Sequence, residues 1–87
     1  MKAIVLKQPG DASNLVIQDI LKPVIQDGEV LVQVKAISIN PVDIKTRLGK
    51  GQYARLKEQP PVIIGWDISG IVTESKSDLF KPGDEVF

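Results

Sequence analysis

Along most of this chain apolar and polar residues alternate with a period of two, the pattern of strands, and clusters of turn-forming residues cut the alternation into short pieces. Ala3 to Leu6 is an apolar run between Lys2 and Lys7, followed by turn chemistry at Gln8, Pro9, Gly10 and Asp11. Leu15 to Ile20 predicts a second strand, stopped before Lys22 and Pro23. The two read as an opening antiparallel hairpin whose loop carries Pro9, Gly10, Asp11, Ser13 and Asn14. After a turn at Gln26 to Gly28, the span from Glu29 to Ile39 predicts a strand with Val30, Val32, Val34 and Ala36 on one face and Gln33 and Lys35 towards water.

A short helix follows. Asn40 is a good N-cap, Pro41 suits the first helical position, and Asp43 is well placed against the positive end of the helix dipole. Ile44 and Leu48 fall on one face, Lys45 and Arg47 are expected to be solvated, and Gly49 ends the helix. Residues 50–59 have no sustained period and read as a loop with one helical turn around Tyr53 to Lys57, because Pro60 and Pro61 forbid a helix running through them.

Pro61 to Glu74 then predicts the central strand, long and apolar, with Trp66, Ile68, Gly70 and Val72 on one face and Asp67, Ser69, Ile71 and Thr73 on the other. Glycine packs nothing in a strand, so Gly65 and Gly70 point to a bulge, a barrel corner or the close approach of another backbone or a ligand. Glu74 to Asp78 is a polar turn, and Lys81, Pro82, Gly83 and Asp84 suit a type II turn. Glu85 to Phe87 looks like a strand just begun, so the 87 residues are expected to be one domain, incomplete at its C-terminal end.

Composition narrows the chemistry. The chain has no cysteine and no histidine, which removes disulfides, thiolate nucleophiles, Ser-His-Asp triads and zinc sites built from nitrogen and sulfur ligands. Eleven Lys plus Arg balance eleven Asp plus Glu, so there is no basic field to gather nucleic acid or anionic lipid. No apolar run approaches the ~20 residues that cross a bilayer, and the N-terminus carries too short a run for a signal peptide. The expectation is a cytoplasmic protein without nucleic-acid or membrane partners.

Four stretches, GEVLVQVKA at 28–36, SINPVD at 38–43, IGWDISGIV at 64–72 and FKPGDEV at 80–86, carry a family resemblance by their order and spacing. The chain resembles the N-terminal catalytic domain of the medium-chain dehydrogenase/reductase superfamily, in its zinc-free quinone oxidoreductase branch. The resemblance implies a mainly β, GroES-like, partly open β-barrel with one short helix. It implies hydride transfer from a nicotinamide, usually NADPH, to a quinone or enone as the small-molecule substrate. Zinc-dependent relatives carry a cysteine ligand three residues before the aspartate of the second motif and a histidine after the glycine of the third. Those positions are Asn40 and Trp66 here, so the resemblance implies no catalytic metal.

Two departures stand out: Glu74 to Asp78 lacks a glycine common in the family, and the nucleotide-binding domain that should follow is not in this sequence. Gly49-Lys50-Gly51-Gln52-Tyr53-Ala54 matches the dinucleotide fingerprint as written, but it follows a short helix and is closed by Pro60 and Pro61, the wrong context for a pyrophosphate site.

The candidate site follows from the resemblance. Asn40 is assigned to catalysis and cofactor contact in place of the lost metal ligand, beside its capping role. Asp43 is assigned to the cofactor, with helix-dipole acid as its structural alternative. Tyr53 is a catalytic and substrate-pocket candidate, since a phenol can donate to a carbonyl oxygen gaining charge, against a plain half-exposed loop aromatic. Trp66 reads as pocket wall or core, against a direct role stacking on the substrate, and Asp67 as a pocket acid or the anchor of a bulge. The main reading is the substrate-side part of an NADPH-dependent quinone or enone reductase, with a homo-oligomer among its partner expectations; the rival is a stand-alone GroES-like binding or assembly module without catalysis.

Overall fold

A computed structural model describes all residues from Met1 to Phe87. It is mainly strand, and the chain divides into two compact units, Met1–Leu21 with Ile39–Gly65, and Lys22–Ser38 with Trp66–Phe87.

In the first unit, β1 (Lys2–Leu6) and β2 (Leu15–Asp19) form the expected hairpin, paired antiparallel from Lys2 opposite Asp19 to Leu6 opposite Leu15. A single 3-10 turn, Ala12–Asn14, shapes its loop, and Asp11 caps that turn by accepting the Ser13 amide at 2.9 Å and the Ser13 hydroxyl. These two bonds hold the Asp11 carboxyl below the ordinary aspartate range, the hydroxyl bond foremost. Helix α1 (Pro41–Arg47) and the single-turn helix α2 (Tyr53–Leu56) complete the unit. The second is the helical turn expected near Tyr53. The core is small: Val5, Leu6 and Val62 are buried, with Thr46 as the one buried polar residue. The Leu6 amide donates to the Val62 carbonyl at 2.9 Å, which ties the segment after the cis Pro60–Pro61 bond to the hairpin.

Arg47 is not the solvated residue expected. Its guanidinium donates to the Gly10 carbonyl at 2.5 Å while the Gly10 amide donates to the Arg47 carbonyl at 2.9 Å, so the helix end grips the hairpin loop. The chain leaves α1 through Gly49 at φ +93, with the Gly49 amide on the Thr46 carbonyl (3.0 Å) and the Lys50 amide on the Lys45 carbonyl (2.8 Å). This is the double bond pattern of a Schellman ending, which satisfies carbonyls the helix would otherwise leave orphaned.

In the second unit β3 (Val30–Ser38), β4 (Asp67–Ser75) and β5 (Glu85–Val86) form an antiparallel sheet in that order. The β3–β4 ladder runs from Val30 opposite Ser75 to Ser38 opposite Asp67, with register shifts at Leu31/Val32 and Val34/Ala36. Thr73 is the extra residue at the first shift and Lys35 at the second, so the sheet is bulged twice. The single apolar face expected for Val30, Val32, Val34 and Ala36 is therefore not kept: beyond the second shift the side chains change sides, and Val34 and Ala36 are both exposed. Gly70 sits in the middle strand, opposite Val34 and Val86, and a Cβ there would lie 2.2 Å from the Gln33 carbonyl oxygen. Close approach of a neighbouring backbone, one of the three readings of this glycine, is what the sheet requires.

The long strand expected over Pro61–Glu74 is not one element. Val62 bridges to Leu6 in the first unit, the chain turns through Gly65 at φ +128, and strand pairing starts only at Asp67. Ser75 closes the turn after β4, its hydroxyl donating to the Phe80 carbonyl at 2.7 Å and accepting the Ser77 amide at 3.1 Å. Asp84 accepts the Lys81 amide at 2.9 Å and returns its own amide to the Lys81 carbonyl at 3.1 Å, closing the turn into β5. That bond from the Lys81 amide is the main cause holding the Asp84 carboxyl below its ordinary range.

Candidate functional site

Local sequence dictates the junction at Asn40. Proline fixes φ at the first helical position and disfavours a helical residue before it, so Asn40 is extended (φ −124, ψ 162) and stands outside the helix as its cap. The cap is reciprocal: the Asn40 side chain faces the backbone of Asp43, and Asp43 Oδ2 accepts the Asn40 amide at 2.7 Å. Asn40 and Asp43 are thus brought together, both half-buried, with the Asn40 carboxamide oriented by the helix start. The other carboxylate oxygen, Asp43 Oδ1, is buried and takes no hydrogen bond within the chain. A buried carboxylate oxygen left unpaired costs free energy, and an N–H donor from a bound molecule would relieve it.

Tyr53 lies in the same unit as the first residue of α2, half-buried, with its amide on the Lys50 carbonyl at 2.9 Å. It is reached from α1 through Thr46, whose hydroxyl donates to the Val42 carbonyl at 2.7 Å and accepts the Gln52 amide at 3.1 Å. Sequence reading passes over Thr46; the available signal is a β-branched hydroxyl residue in the last turn of a short helix, able to bond the carbonyl four residues back.

Trp66 and Asp67 belong to the second unit. Trp66 precedes β4 and is 38% exposed, so it is no core residue. Asp67 opens β4 opposite Ser38. It lines a small open groove with Ala36, Ile37, Ser38, Ile68 and Ser69.

The Gly49 to Ala54 pattern offers no phosphate cradle, since it follows α1 rather than a strand and opens a helix of four residues, Tyr53–Leu56. At Gly51 the space a Cβ would take is already occupied by Thr46 Oγ1 at 2.8 Å and the Thr46 backbone nitrogen at 3.2 Å. The pyrophosphate does not fit these residues. A carboxamide such as that of the nicotinamide carries N–H donors of the kind that Asp43 Oδ1 lacks within the chain.

Comparison with known proteins decides the family. The model of the alcohol dehydrogenase GroES-like domain matches residues 26–87. The chain belongs to this family. Among curated relatives, the mitochondrial NAD(P)H oxidoreductase RTN4IP1 of Homo sapiens is 39% identical over 84 residues, covering 80% of this chain and 21% of the relative. The chloroplastic NADPH-dependent alkenal/one oxidoreductase of Arabidopsis thaliana is 36% identical over 90 residues, covering all of this chain and 23% of the relative. The structure of the quinone oxidoreductase from Coxiella burnetii superposes with a TM-score of 0.87 at 40% identity, covering 98% of this chain and 28% of that one. This GroES-like chain therefore spans between a fifth and a third of the length of the proteins it matches. Its relatives are oxidoreductases, several of them named for nicotinamide cofactors, quinones or alkenals. No helix is long and apolar enough to cross a membrane.

Proposed function

We propose that this GroES-like chain is the substrate-side part of a zinc-independent, NADPH-dependent reductase of quinones or enones, completed by a nucleotide-binding domain. The observation that carries the reading is the oriented Asn40–Asp43 pair, with a buried acceptor oxygen at Asp43 unpaired within the chain. Asn40 and Asp43 would meet the nicotinamide carboxamide. NADPH supplies the hydride when bound; the chain's own contribution is orientation and hydrogen bonding. Asn40 stands where zinc-dependent relatives place a cysteine, and its amide serves as a neutral donor where they use a metal. Tyr53 donates its phenolic hydrogen to the substrate carbonyl oxygen, which gains charge as reduction proceeds. In the second unit the proposed substrate-facing residues are Trp66 and Asp67.

The similarity of the whole chain to quinone and alkenal/one oxidoreductases favours this reading over a binding module without catalysis. The proposed location is the cytoplasm, with mitochondria and chloroplasts as the alternatives raised by relatives. Exposed apolar residues, among them Ile37 and Leu79, suit further contacts with the nucleotide-binding domain or with a second copy.

Substitution at Asn40 tests the proposal. In the complete reductase Asn40→Asp keeps the cap, since Asp caps about as well, but sets a negative charge against the developing oxyanion and lowers turnover. Asn40→Ala lowers turnover as well and costs about 1 kcal/mol of stability. Normal turnover in both variants would make Asn40 purely structural and remove the site.

A further inference from the structure

We infer that Thr46 is a positioning residue: its buried hydroxyl is the latch that sets Tyr53 relative to the Asn40 end of α1. The inference rests on the reading of Tyr53 as donor to the substrate carbonyl. Thr46 is 0% exposed, and its hydroxyl is used in both directions, donating to the Val42 carbonyl at 2.7 Å and accepting the Gln52 amide at 3.1 Å. Val42 lies in the first turn of α1, between Asn40 and Asp43, and Gln52 is the residue before Tyr53. One oxygen atom therefore joins the turn that carries the oriented pair to the start of the helix that carries the phenol.

The loop between them closes tightly on that oxygen. Gly51 passes so near that a Cβ would stand 2.8 Å from Thr46 Oγ1, and Lys50 both donates to the Lys45 carbonyl and accepts from the Tyr53 amide. Gln52 adopts a non-helical backbone (φ −94, ψ 7) with no side-chain cap, so the amide before α2 has the Thr46 hydroxyl as its acceptor. A valine of the same shape fills the space but accepts nothing. The Gln52 amide must then seek another partner, and Tyr53 moves with it. Because hydrogen-bonding groups act on a reacting oxygen only over a narrow range, a displacement of about 1 Å can cost up to ~10²-fold in rate.

The test uses the complete reductase with 1,4-benzoquinone as acceptor and four variants: Thr46→Val, Thr46→Ser, Tyr53→Phe, and Thr46→Val combined with Tyr53→Phe. Thr46→Val is expected to lower kcat/KM for the quinone roughly tenfold and to leave the KM for NADPH in place. Thr46→Ser keeps the hydroxyl and restores most of the rate. In the Tyr53→Phe background Thr46→Val has no further effect, since the group it positions is gone. Independent losses that multiply in the double variant, or failure of serine to rescue, would reduce Thr46 to a packing residue and overturn the inference.

A second readout separates this inference from the reading beneath it. In NMR spectra Thr46→Val should shift the Gln52 amide and the Tyr53 ring resonances, and Thr46→Ser should not. If Tyr53→Phe is silent in turnover, the donor role of Tyr53 falls, and the latch is judged by these resonances alone. Unmoved resonances in Thr46→Val would overturn it. Gly51→Ala gives an independent perturbation of the same contact and is expected to move the same signals.

Discussion

Replacing Gly70 by alanine probes the packing of the three-stranded sheet at its tightest point. A Cβ on Gly70 would lie 2.2 Å from the Gln33 carbonyl oxygen, 2.8 Å from Val32 Cγ1 and 3.0 Å from the Gln33 carbonyl carbon. Carbon-to-carbonyl-oxygen contacts between strands normally sit near ~3.3–3.6 Å, so β3 and β4 must separate by about 1 Å at this point. The obstacle is backbone, fixed by a ladder on both sides of Gly70, and no rotamer change relieves it. Overpacking a well-packed site costs about 1–3 kcal/mol, occasionally more, and alanine recovers about 0.5–1 kcal/mol of the entropy that glycine loses on ordering. With a backbone obstacle the upper end applies, for a net loss of about 2–2.5 kcal/mol. At ~4–8 °C per kcal/mol for a domain of this size, the melting temperature falls by about 8–20 °C. Gly28→Ala is the control: nothing lies within 4 Å of its Cβ, but φ is +83, so only left-handed strain is added, about 1–2 kcal/mol. Thermal denaturation by circular dichroism gives the losses, and amide exchange locates them. Gly70→Ala should loosen the ladder amides of β3, β4 and β5, while Gly28→Ala leaves them protected. A Gly70→Ala protein within about 0.5 kcal/mol of the parent, with its ladder amides protected, would refute the close approach.

Two further outcomes are expected. The Asp84 carboxyl is held below its ordinary value by the Lys81 amide, so the folded state favours the ionised form; the stabilisation is present above about pH 4 and is lost as pH falls through the lower folded value. Asp84→Asn should flatten that acid limb in a pH series of melts, and an unchanged limb would show that the turn contributes nothing to it. Titrating NADPH into the 87-residue chain alone should give no saturable change in nicotinamide fluorescence at micromolar concentration, because the glycines at 49 and 51 form no phosphate cradle. Micromolar binding would place a dinucleotide site outside Gly49 to Ala54 and contradict this expectation.

What the sequence made legible is what short-range chemistry decides. The hairpin of β1 and β2, the turn at Lys81 to Asp84 and the start of α1 all follow from residues within a few positions of one another. The Asn40–Asp43 pair belongs to this class, since proline at 41 and an acid at the third helical position determine it locally. What stayed hidden depends on partners far along the chain. Alternation over Pro61–Glu74 suggests one strand, but Val62 is held by Leu6, and the break at Gly65 follows from that distant bridge. The period of two marks the faces of β3 without fixing its register, so the extra residues Lys35 and Thr73 leave no trace in the pattern. Arg47 reads as a solvated cation because its acceptor, Gly10, lies 37 residues away. Thr46 is silent in the sequence for a related reason: a lone threonine in a helix carries no sign of the loop that folds back onto it.

The central claim is that this chain serves a reductase that draws hydride from NADPH and works without zinc. The most direct measurement is NADPH oxidation at 340 nm by the complete protein with 1,4-benzoquinone, before and after exhaustive treatment with a metal chelator. The account predicts quinone-dependent turnover that the chelator leaves unchanged, since neither cysteine nor histidine is available in this chain to hold a metal. Turnover abolished by the chelator and restored by zinc, or no NADPH oxidation with any quinone or enone acceptor, would contradict it.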